Sequence, residues 1–516
     1  MEVIGYVMSG CTQRLIPFVV KEDREVYVNM YYFIPHPTTS RIDENGRYID
    51  LTPVLVRVFG VTPYNPEMSR GQTGPIAGKK GEKAQYGKRL EYKVAWAEVL
   101  GYYARNGKWF SLECAPGTWD PVFEGTEEEI AHFFGVTQEN PKGDSMFVRV
   151  GKHRGLRVPV HIDLNAIAKG HLFVAGMTRS GKSTFVLNLI RRATQLDPRP
   201  HFIVFDRRGE YAGLRKVGGM IVPYSSFLPR SEVLRGEVVA ARLGFDLRNS
   251  TGKTISDAVS ELNVEGAELS SKSLMEKLSE VSAYTISRGR DRVLKSVEWA
   301  VRVKGAFLDE VHQNLDVVDA VIDNPLLIVD FSVDTRVGEQ QMAARHVIKA
   351  VVNHAMRRRD TGDFSAIFVV EEAQYFAPEH GLNIEVGAPE RIGVDKALVE
   401  AVSQAGGYNV GFIISTQRPA YIQKSIVSQC NSVVCFRLMA GNDQEAILDY
   451  TEYGGSHLRD YLPGLATHEA LVWGIALPTP FPVVAEMDVE EFPQKAGSSA
   501  RQAWERMKKT AAKAPA

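Results

Sequence analysis

The chain has 516 residues and a mass of 57.3 kDa, and its 61 Lys and Arg against 62 Asp and Glu leave a formal net charge of −1. This balance excludes a uniformly basic coat for nucleic acid but allows a local basic channel. A hydrophobic fraction of 44% and a charged fraction of 24% exclude disordered and collagen-like chains. At about 100–200 residues per domain, the length predicts two to four domains.

Cysteine usage and hydropathy indicate a reduced protein outside the membrane. The chain has four cysteines and no CxxC pair, which argues against a disulfide framework and a zinc ribbon. The longest apolar runs, such as 325–333 and 470–477, are too short to span a bilayer. The N-terminal sequence has no basic segment followed by an apolar run. We therefore expect a cytoplasmic protein without a membrane partner.

The first 150 residues are rich in short β-type runs, including Glu25–Met30 and Leu51–Phe59. Residues 62–91 are rich in Gly, Pro and Lys and predict a long loop. Strand patterns return over 92–124, and a short helix is predicted over 126–134. Because a closed barrel removes the exposed edges of short strands, we predict a small β-barrel domain over residues 1–150.

From residue 158 onward, short strands that are apolar at consecutive positions alternate with helical patterns. This pattern is typical of an α/β domain whose mostly parallel sheet is buried on both faces. The runs are His171–Ala175, His201–Phe205, Leu326–Val329, Ala366–Val370, Val410–Ser415 and Val433–Leu438. We predict this domain over residues 151–485, with a helical insertion at about 225–322 and a tail or bracing segment over 486–516.

Residues 176–183 read GMTRSGKS, which matches the phosphate-binding pattern GxxxxGK[ST]. The loop follows the apolar run HLFVA and precedes a helical pattern, and this strand–loop–helix order is what the motif requires. Its amides and the helix N-terminus favour phosphate, Lys182 can reach the β- and γ-phosphates, and Ser183 can ligate Mg²⁺. The predicted ATP-binding residues are Gly176, Thr178, Arg179, Ser180, Gly181, Lys182, Ser183 and Thr184. The alternative is an ordinary glycine-rich turn between a strand and a helix.

Acidic residues follow a second buried strand. The run 366–370 leads directly into Glu371 and Glu372. A nucleotide hydrolase needs such carboxylates, so we assign Glu371 to the Mg²⁺ shell and Glu372 to activation of the attacking water. The alternative is a helix N-terminus whose acids complement the dipole.

Two further strand ends carry polar groups that could contribute to the same site. Asp206 and Glu210 follow one strand, and Gln417 follows another, where its amide could sense the γ-phosphate. Ligands of open α/β sheets bind beyond the carboxyl ends of the strands. Each of these signals alone is also compatible with an ordinary polar strand end.

Taken in order, GMTRSGKST, FDRRGEY, IFVVEEAQ and ISTQRPAYI resemble the HerA branch of the FtsK–HerA superfamily. The resemblance implies a RecA-like P-loop NTPase core behind an N-terminal β-barrel. It implies an ATPase that uses ATP and Mg²⁺ and translocates on double-stranded DNA as a homohexamer. It also implies a partner nuclease of the NurA type or another effector, in DNA repair or antiviral defence. A scaffold that activates an effector, and a conjugation- or secretion-type ATPase, are the alternatives.

The resemblance also implies residue roles. Lys182 and Ser183 match the Walker A lysine and metal ligand, Glu371 and Glu372 the Walker B pair, and Gln417 the sensor glutamine. Asp206, Gly209, Glu210 and Tyr211 match an Asp-x-x-Gly-Glu-Tyr element in which Arg208 replaces the usual histidine.

One family feature is missing from this sequence. Residues 403–409 lack the arginine that relatives offer to the neighbouring subunit. Arg391, Arg418 and Arg179 are the candidates to replace it, and the unusually long segment 378–396 is where a substitute could lie.

Basic clusters offer candidate DNA contacts. They are Arg288, Arg290, Arg292 and Lys295 in the insertion, and Arg357–Arg359 further along the chain. Solvated helix faces are the alternative interpretation of both clusters.

Overall fold

A computed structural model describes residues 1–44, 48–65, 91–135, 146–229, 235–267, 269–286, 289–305, 308, 315–379, 392–449 and 458–489. Contacts divide the chain into two compact units. Unit 1 comprises Met1–Ala166, Phe173–Leu189 and Asn431–Val489. The described part of unit 2 falls within Ile167–Leu172 and Ile190–Cys430. Most of the predicted tail, from residue 490 onward, lies outside the described residues.

Unit 1 begins with a barrel of antiparallel strands. The strands are β1 (Glu2–Val7), β2 (Leu15–Val20), β3 (Tyr31–Pro35), β4 (Arg41–Ile42), β5 (Tyr48–Asp50), β6 (Pro53–Tyr64), β7 (Tyr92–Tyr103), β8 (Trp109–Phe110) and β9 (Pro121–Glu124). Six of them pair in the order β2-β1-β9-β3-β6-β7, and pairing of β2 with β7 closes the barrel. The predicted barrel is confirmed.

The barrel core is built by residues two apart on each strand, as the strand period requires. Val54, Val56 and Val58 of β6 are fully buried. The predicted strand at Glu25–Met30 is wrong, because this segment is an irregular turn region. Val26 and the partly buried Met30 pack against the core, whereas Tyr27 is 64% exposed.

The remaining strands of unit 1 form an antiparallel array that follows the barrel. They are β10 (Phe147–His153), β11 (Pro159–Asp163), β12 (Leu172–Ala175), β18 (Ser432–Phe436), β19 (Glu469–Gly474) and β20 (Val483–Met487), numbered in chain order. Their order is β11-β10-β20-β19-β18-β12, and the four pairs from β11 to β18 are antiparallel. The sequence does not predict these antiparallel strands, except for β18, which corresponds to the predicted run at 433–438.

Unit 2 holds a parallel sheet. Its strands are β13 (Phe202–Asp206), β14 (Met220–Pro223), β15 (Leu326–Asp330), β16 (Ala366–Val370) and β17 (Val410–Thr416). They lie in the order β17-β16-β13-β15-β14, and every pair is parallel. All residues of β13, β16 and β17 are buried, which confirms the expectation drawn from their consecutive apolar residues.

Helices connect and cover these strands. They are α1 (Glu127–Phe133), α2 (Leu164–Gly170), α3 (Lys182–Ala193), α4 (Gly236–Leu243), α5 (Ser250–Val264), α6 (Ser271–Thr285), α7 (Arg290–Lys304), α8 (Val317–Asp323), α9 (Val337–Arg357), α10 (Val394–Gln404), α11 (Lys424–Val427), α12 (Gly441–Asp449) and α13 (Leu458–Tyr461). Helices α4 to α7 form the insertion between β14 and β15, and α6 buries Leu274, Leu278 and Val281 along one face. No helix among the described residues is both long and apolar enough to cross a membrane.

Candidate functional site

The loop between β12 and α3 has a backbone that only its glycines adopt easily. Gly176 and Gly181 have φ of 152° and 120°, in the region that L side chains avoid. A Cβ on Gly176 would lie 2.6 Å from Cβ of Phe436, and one on Gly181 would lie 2.8 Å from Nδ1 of His468. Both ends of the loop therefore require glycine for conformation and for packing. Arg179, also at positive φ, is exposed at the tip.

The interior of this loop carries a cationic group and an unsatisfied hydroxyl. Lys182 is 8% exposed, and its Nζ donates to the carbonyls of Gly176 at 2.7 Å and Met177 at 3.2 Å. Ser180 is 1% exposed, and its Oγ has no hydrogen-bond partner among the described residues. A buried donor of this kind is satisfied when an anion fills the loop. The loop thus fits a phosphate group.

Ser183 and Thr184 stand in the first turn of α3, where both are half-buried. The amides of a first helical turn have no partner within the helix and point toward the loop end. Thr178 is exposed beside the loop tip. The structure therefore brings together all the phosphate-binding residues predicted from the motif.

In unit 2, the end of β16 presents two acidic side chains that are each 4% exposed, Glu371 and Glu372. Glu372 has φ 50° and ψ 50°, a left-handed conformation that is costly for a residue with a Cβ. Such strain persists only where surrounding contacts fix it. The contacts of the Glu372 side chain supply that constraint.

Two side chains donate hydrogen bonds to the carboxylate of Glu372, and a third forms an ion pair with it. Gln417, at the end of the neighbouring strand β17, donates from Nε2 to Oε1. Arg208, two residues after β13, forms an ion pair of 2.6 Å with the same oxygen. Gln374 donates from Nε2 to Oε2 at 2.6 Å, and its own Oε1 accepts from Thr416 at 2.9 Å. Both carboxylate oxygens are therefore engaged.

Glu371 lies in a more acidic environment. The backbone amide of Arg207 donates to its Oε2 at 3.2 Å. Burial raises the pKa of Glu371 to about 8, and nearby carboxylates add to the shift. Those carboxylates belong to Asp206, Glu210 and Glu372. A divalent cation would offset this crowding of negative charge, so the donor set fits Mg²⁺ held largely through water and phosphate.

The carboxylate of Asp206 accepts hydrogen bonds from backbone amides of its own loop. Its Oδ1 accepts from the amides of Arg208, Gly209 and Glu210, at 3.2, 2.7 and 3.1 Å. Its Oδ2 accepts from the amide of Tyr211 at 3.0 Å. These four bonds use the acceptor positions of one carboxylate. Asp206, predicted as a nucleotide contact, thus fixes the shape of the loop that carries Arg208 and Glu210.

Arg418 and Arg391 are among the predicted candidates to replace the missing family arginine. Arg418 is exposed at the end of β17, and its guanidinium lies 4.2 Å from the ring centre of Tyr421. Arg391 lies outside the described residues. Among the described residues no cluster of three or more His, Cys, Asp or Glu side chains forms a metal cage.

Comparison with known proteins shows what the chain is similar to. Residues 148–353 match the family model described as "Helicase HerA, central domain". This chain is 24% identical over 401 residues to the DNA double-strand break repair helicase HerA of Sulfolobus acidocaldarius, across 72% of this chain and 74% of that protein. It is 22% identical over 396 residues to the Pyrococcus furiosus protein of the same name, across 66% and 69% of the two chains.

Among solved structures, VirB4 of Thermoanaerobacter pseudethanolicus superposes with a TM-score of 0.46 at 14% identity, covering 68% of this chain and 99% of that one. The sequence-based assignment to the HerA family is confirmed by the family match. The chain is accordingly a P-loop ATPase that uses ATP and Mg²⁺. The residues of the loop from Gly176 to Thr184 would hold the phosphates.

Sequence reasoning missed three residues that hold Glu372 or its neighbours in place. Arg208 attracted notice only as a departure from the family histidine, and Gln374 and Thr416 not at all. The sequence did carry one signal for them, since each lies within two residues of a predicted strand-end site residue.

Proposed function

We propose that this chain is an ATP-driven motor that moves on double-stranded DNA as a homohexamer and works with a separate nuclease or effector, in DNA repair or defence. The observation that carries the proposal is the Glu372 carboxylate, buried at a strand end and bound by Gln417 from the adjacent strand. A buried carboxylate oriented by a neighbouring amide is suited to accept a proton from an attacking water. The relatives named above are DNA double-strand break repair helicases, which supports DNA as the track.

In this proposal the P-loop binds the phosphates of ATP, and Glu372 is the general base of the hydrolysis. Bound ATP with Mg²⁺ supplies an electrophilic γ-phosphate. Glu372 takes the proton of the water whose oxygen attacks that phosphorus, and the bond to the bridging oxygen breaks to leave ADP and phosphate. Lys182 stabilises charge on the phosphates, and Gln417 orients Glu372.

The first test replaces Glu372 with glutamine. The Glu372→Gln protein should bind a fluorescent ATP analogue as the wild type does, while phosphate release falls by about 10²-fold or more, the usual share of a general base. Glu400→Gln changes an exposed acid on α10 and is the matched control. Retention of wild-type turnover in Glu372→Gln would remove Glu372 from the chemistry.

The track and the assembly need separate measurements. Double-stranded DNA should raise phosphate release, and native mass spectrometry with ATP should show a six-chain species. Turnover that does not respond to DNA at any salt concentration contradicts the translocase. A single-chain mass with and without ATP contradicts the ring.

The described basic residues favour one DNA-contacting face. On α7, residues 292, 295, 299 and 302 follow a helical stripe, and Arg292, Lys295 and Arg302 are exposed with Trp299, which is 62% exposed. Cations beside an aromatic ring suit phosphates and bases. Three other cationic groups of the two clusters are engaged: Arg290 donates to Ser279 and Ser282, and Arg358 and Arg359 pair with aspartates. Arg357 is exposed at the end of α9. Arg288 lies outside the described residues.

This face can be tested with the pair Arg292→Ala and Lys295→Ala. Each lost phosphate contact should weaken DNA binding and reduce the slope of log affinity against log salt by about one. Lys272→Ala, on the exposed side of α6, is the control. An unchanged salt slope in the double variant would remove α7 from the DNA interface.

A further inference from the structure

Arg208 contacts Glu372, which is the catalytic base in the proposed function. Its guanidinium forms a 2.6 Å ion pair with Oε1 of Glu372, the oxygen that also accepts from Gln417. Gln374 occupies Oε2. A carboxylate offers about four acceptor positions, and three of them are taken here. The ion-paired Glu372 therefore has little capacity left to accept a proton from water.

The backbone at Arg208 is fixed while its side chain is accessible. Asp206 accepts hydrogen bonds from the amides of residues 208 to 211, which locks the turn after β13. Gly209, with φ 72°, ends that turn. The Arg208 side chain is nevertheless 42% exposed, whereas that of Glu372 is 5% exposed. This combination allows the guanidinium to swing away without any movement of the strand ends.

The neighbouring Arg207 has different contacts from Arg208. Arg207 lies 4.1 Å over the ring of Tyr375 and donates to Gln340, so its side chain is committed to packing. Arg208 has a contact with a catalytic group, and Arg207 does not reach Glu372 in any hydrogen bond described. Arg207 thus supports the loop, and Arg208 holds the carboxylate of Glu372.

We propose that Arg208 is a latch that keeps Glu372 in a resting state, and that opening of the Arg208–Glu372 ion pair precedes each hydrolysis step. The inference rests on the proposed function, because it takes Glu372 to be the base. An anion that competes for the guanidinium opens the latch, and a nucleotide phosphate is an anion of the required kind. Arg208 acts through Glu372 and is therefore a positioning residue.

The decisive measurement is phosphate release without DNA in three variants. Arg208→Ala should raise basal turnover about two- to fivefold, the change expected for a partly exposed ion pair. Arg208→Lys, which keeps the charge on a different head group, should return turnover part of the way toward wild type. Arg215→Ala, on the exposed side of the same segment, should match the wild type. Basal turnover that is unchanged or lower in Arg208→Ala overturns the latch.

A second readout does not depend on turnover. In the nucleotide-free protein, Arg208→Ala should lower the melting temperature in the wild-type background but have little effect beside Glu372→Gln, since a neutral amide cannot form the ion pair. Equal shifts in both backgrounds would show that the pair is not formed, which also overturns the latch. The two hypotheses separate cleanly: full turnover in Glu372→Gln rejects the proposed function, whereas lost turnover there with no gain in Arg208→Ala rejects only the latch.

Discussion

The side-chain amide of Gln417 donates a hydrogen bond to the carboxylate of Glu372, across the parallel pair formed by β17 and β16. The two residues follow adjacent buried strands, so sheet register alone brings their side chains together. The bond links the end of β17 to the Glu372 carboxylate, which the proposed function takes as the catalytic base.

Removal of this bond should slow hydrolysis without a loss of nucleotide affinity. A hydrogen bond to a charged group contributes about 1.5–3 kcal/mol, which corresponds to a fall in turnover of about 10- to 100-fold in Gln417→Ala. Phosphate release and binding of a fluorescent ATP analogue would be measured on the same samples. Gln429→Ala, at an exposed position, is the control. A large fall in ATP affinity with normal turnover would assign Gln417 to binding instead.

The P-loop glycines give a prediction about binding. Gly181→Ala would force a Cβ to within 2.8 Å of His468 at a φ of 120°. Because the loop must distort, ATP affinity should fall by about tenfold or more, in line with strain of 1–3 kcal/mol at such positions. Gly464→Ala is a fair comparison, since its Cβ would meet no atom within 4 Å. Tight ATP binding by Gly181→Ala would show that the loop tolerates a side chain there.

Much of the fold could be predicted because the strands of unit 2 have runs of consecutive apolar residues. Four consecutive apolar residues that run into Glu371 and Glu372 identify both a buried strand and the site at its end. The barrel followed from many short strands whose edges need partners. These arguments depend on local sequence alone.

The missed features depend on contacts between distant segments. β19 and β20 have the same apolar texture as parallel strands, and only their pairing with β18 and β10 shows that they are antiparallel. The predicted strand at Glu25–Met30 failed because its β-type residues have no partner strand. The contact of Arg208 with Glu372 depends on the side-chain rotamer and on the shape of the loop. Residue spacing in the sequence predicts neither of these.

A buried arginine in the barrel predicts a large change in stability. Arg57 of β6 is 0% exposed, and it pairs with Glu98 at 2.5 Å and donates to the carbonyl of Pro482 at 2.6 Å. Arg57→Ala leaves Glu98 without its partner and should destabilise unit 1 by about 3–5 kcal/mol. Arg105→Ala removes an exposed ion pair with Asp50 and should cost about 0–1 kcal/mol. Denaturant midpoints of the two variants would measure the contrast, and equal midpoints would contradict it.

A buried histidine predicts the response of unit 1 to acid. His153 of β10 is 1% exposed, and its ring centre lies 3.8 Å from that of Phe134. Burial lowers the pKa of His153 from 6.5 to about 3, and the nearby His161 adds to the shift. Between pH 6.5 and 3 the unfolded chain therefore binds a proton that the folded chain does not. Stability is complete above pH 6.5 and falls with pH, by up to about 1.4 kcal/mol per pH unit.

His153→Phe removes the titrating group while it keeps a ring against Phe134. The variant should lose less of its unfolding free energy than the wild type when the pH falls from 7.5 to 5.5, because the proton uptake by the unfolded chain at this position is gone. His132→Gln changes an exposed histidine on α1 and should keep the wild-type pH dependence. Denaturant titrations at both pH values would measure the difference. A parallel loss of stability in His153→Phe and wild type would mean that other groups control the acid response, since only the buried imidazole differs between them.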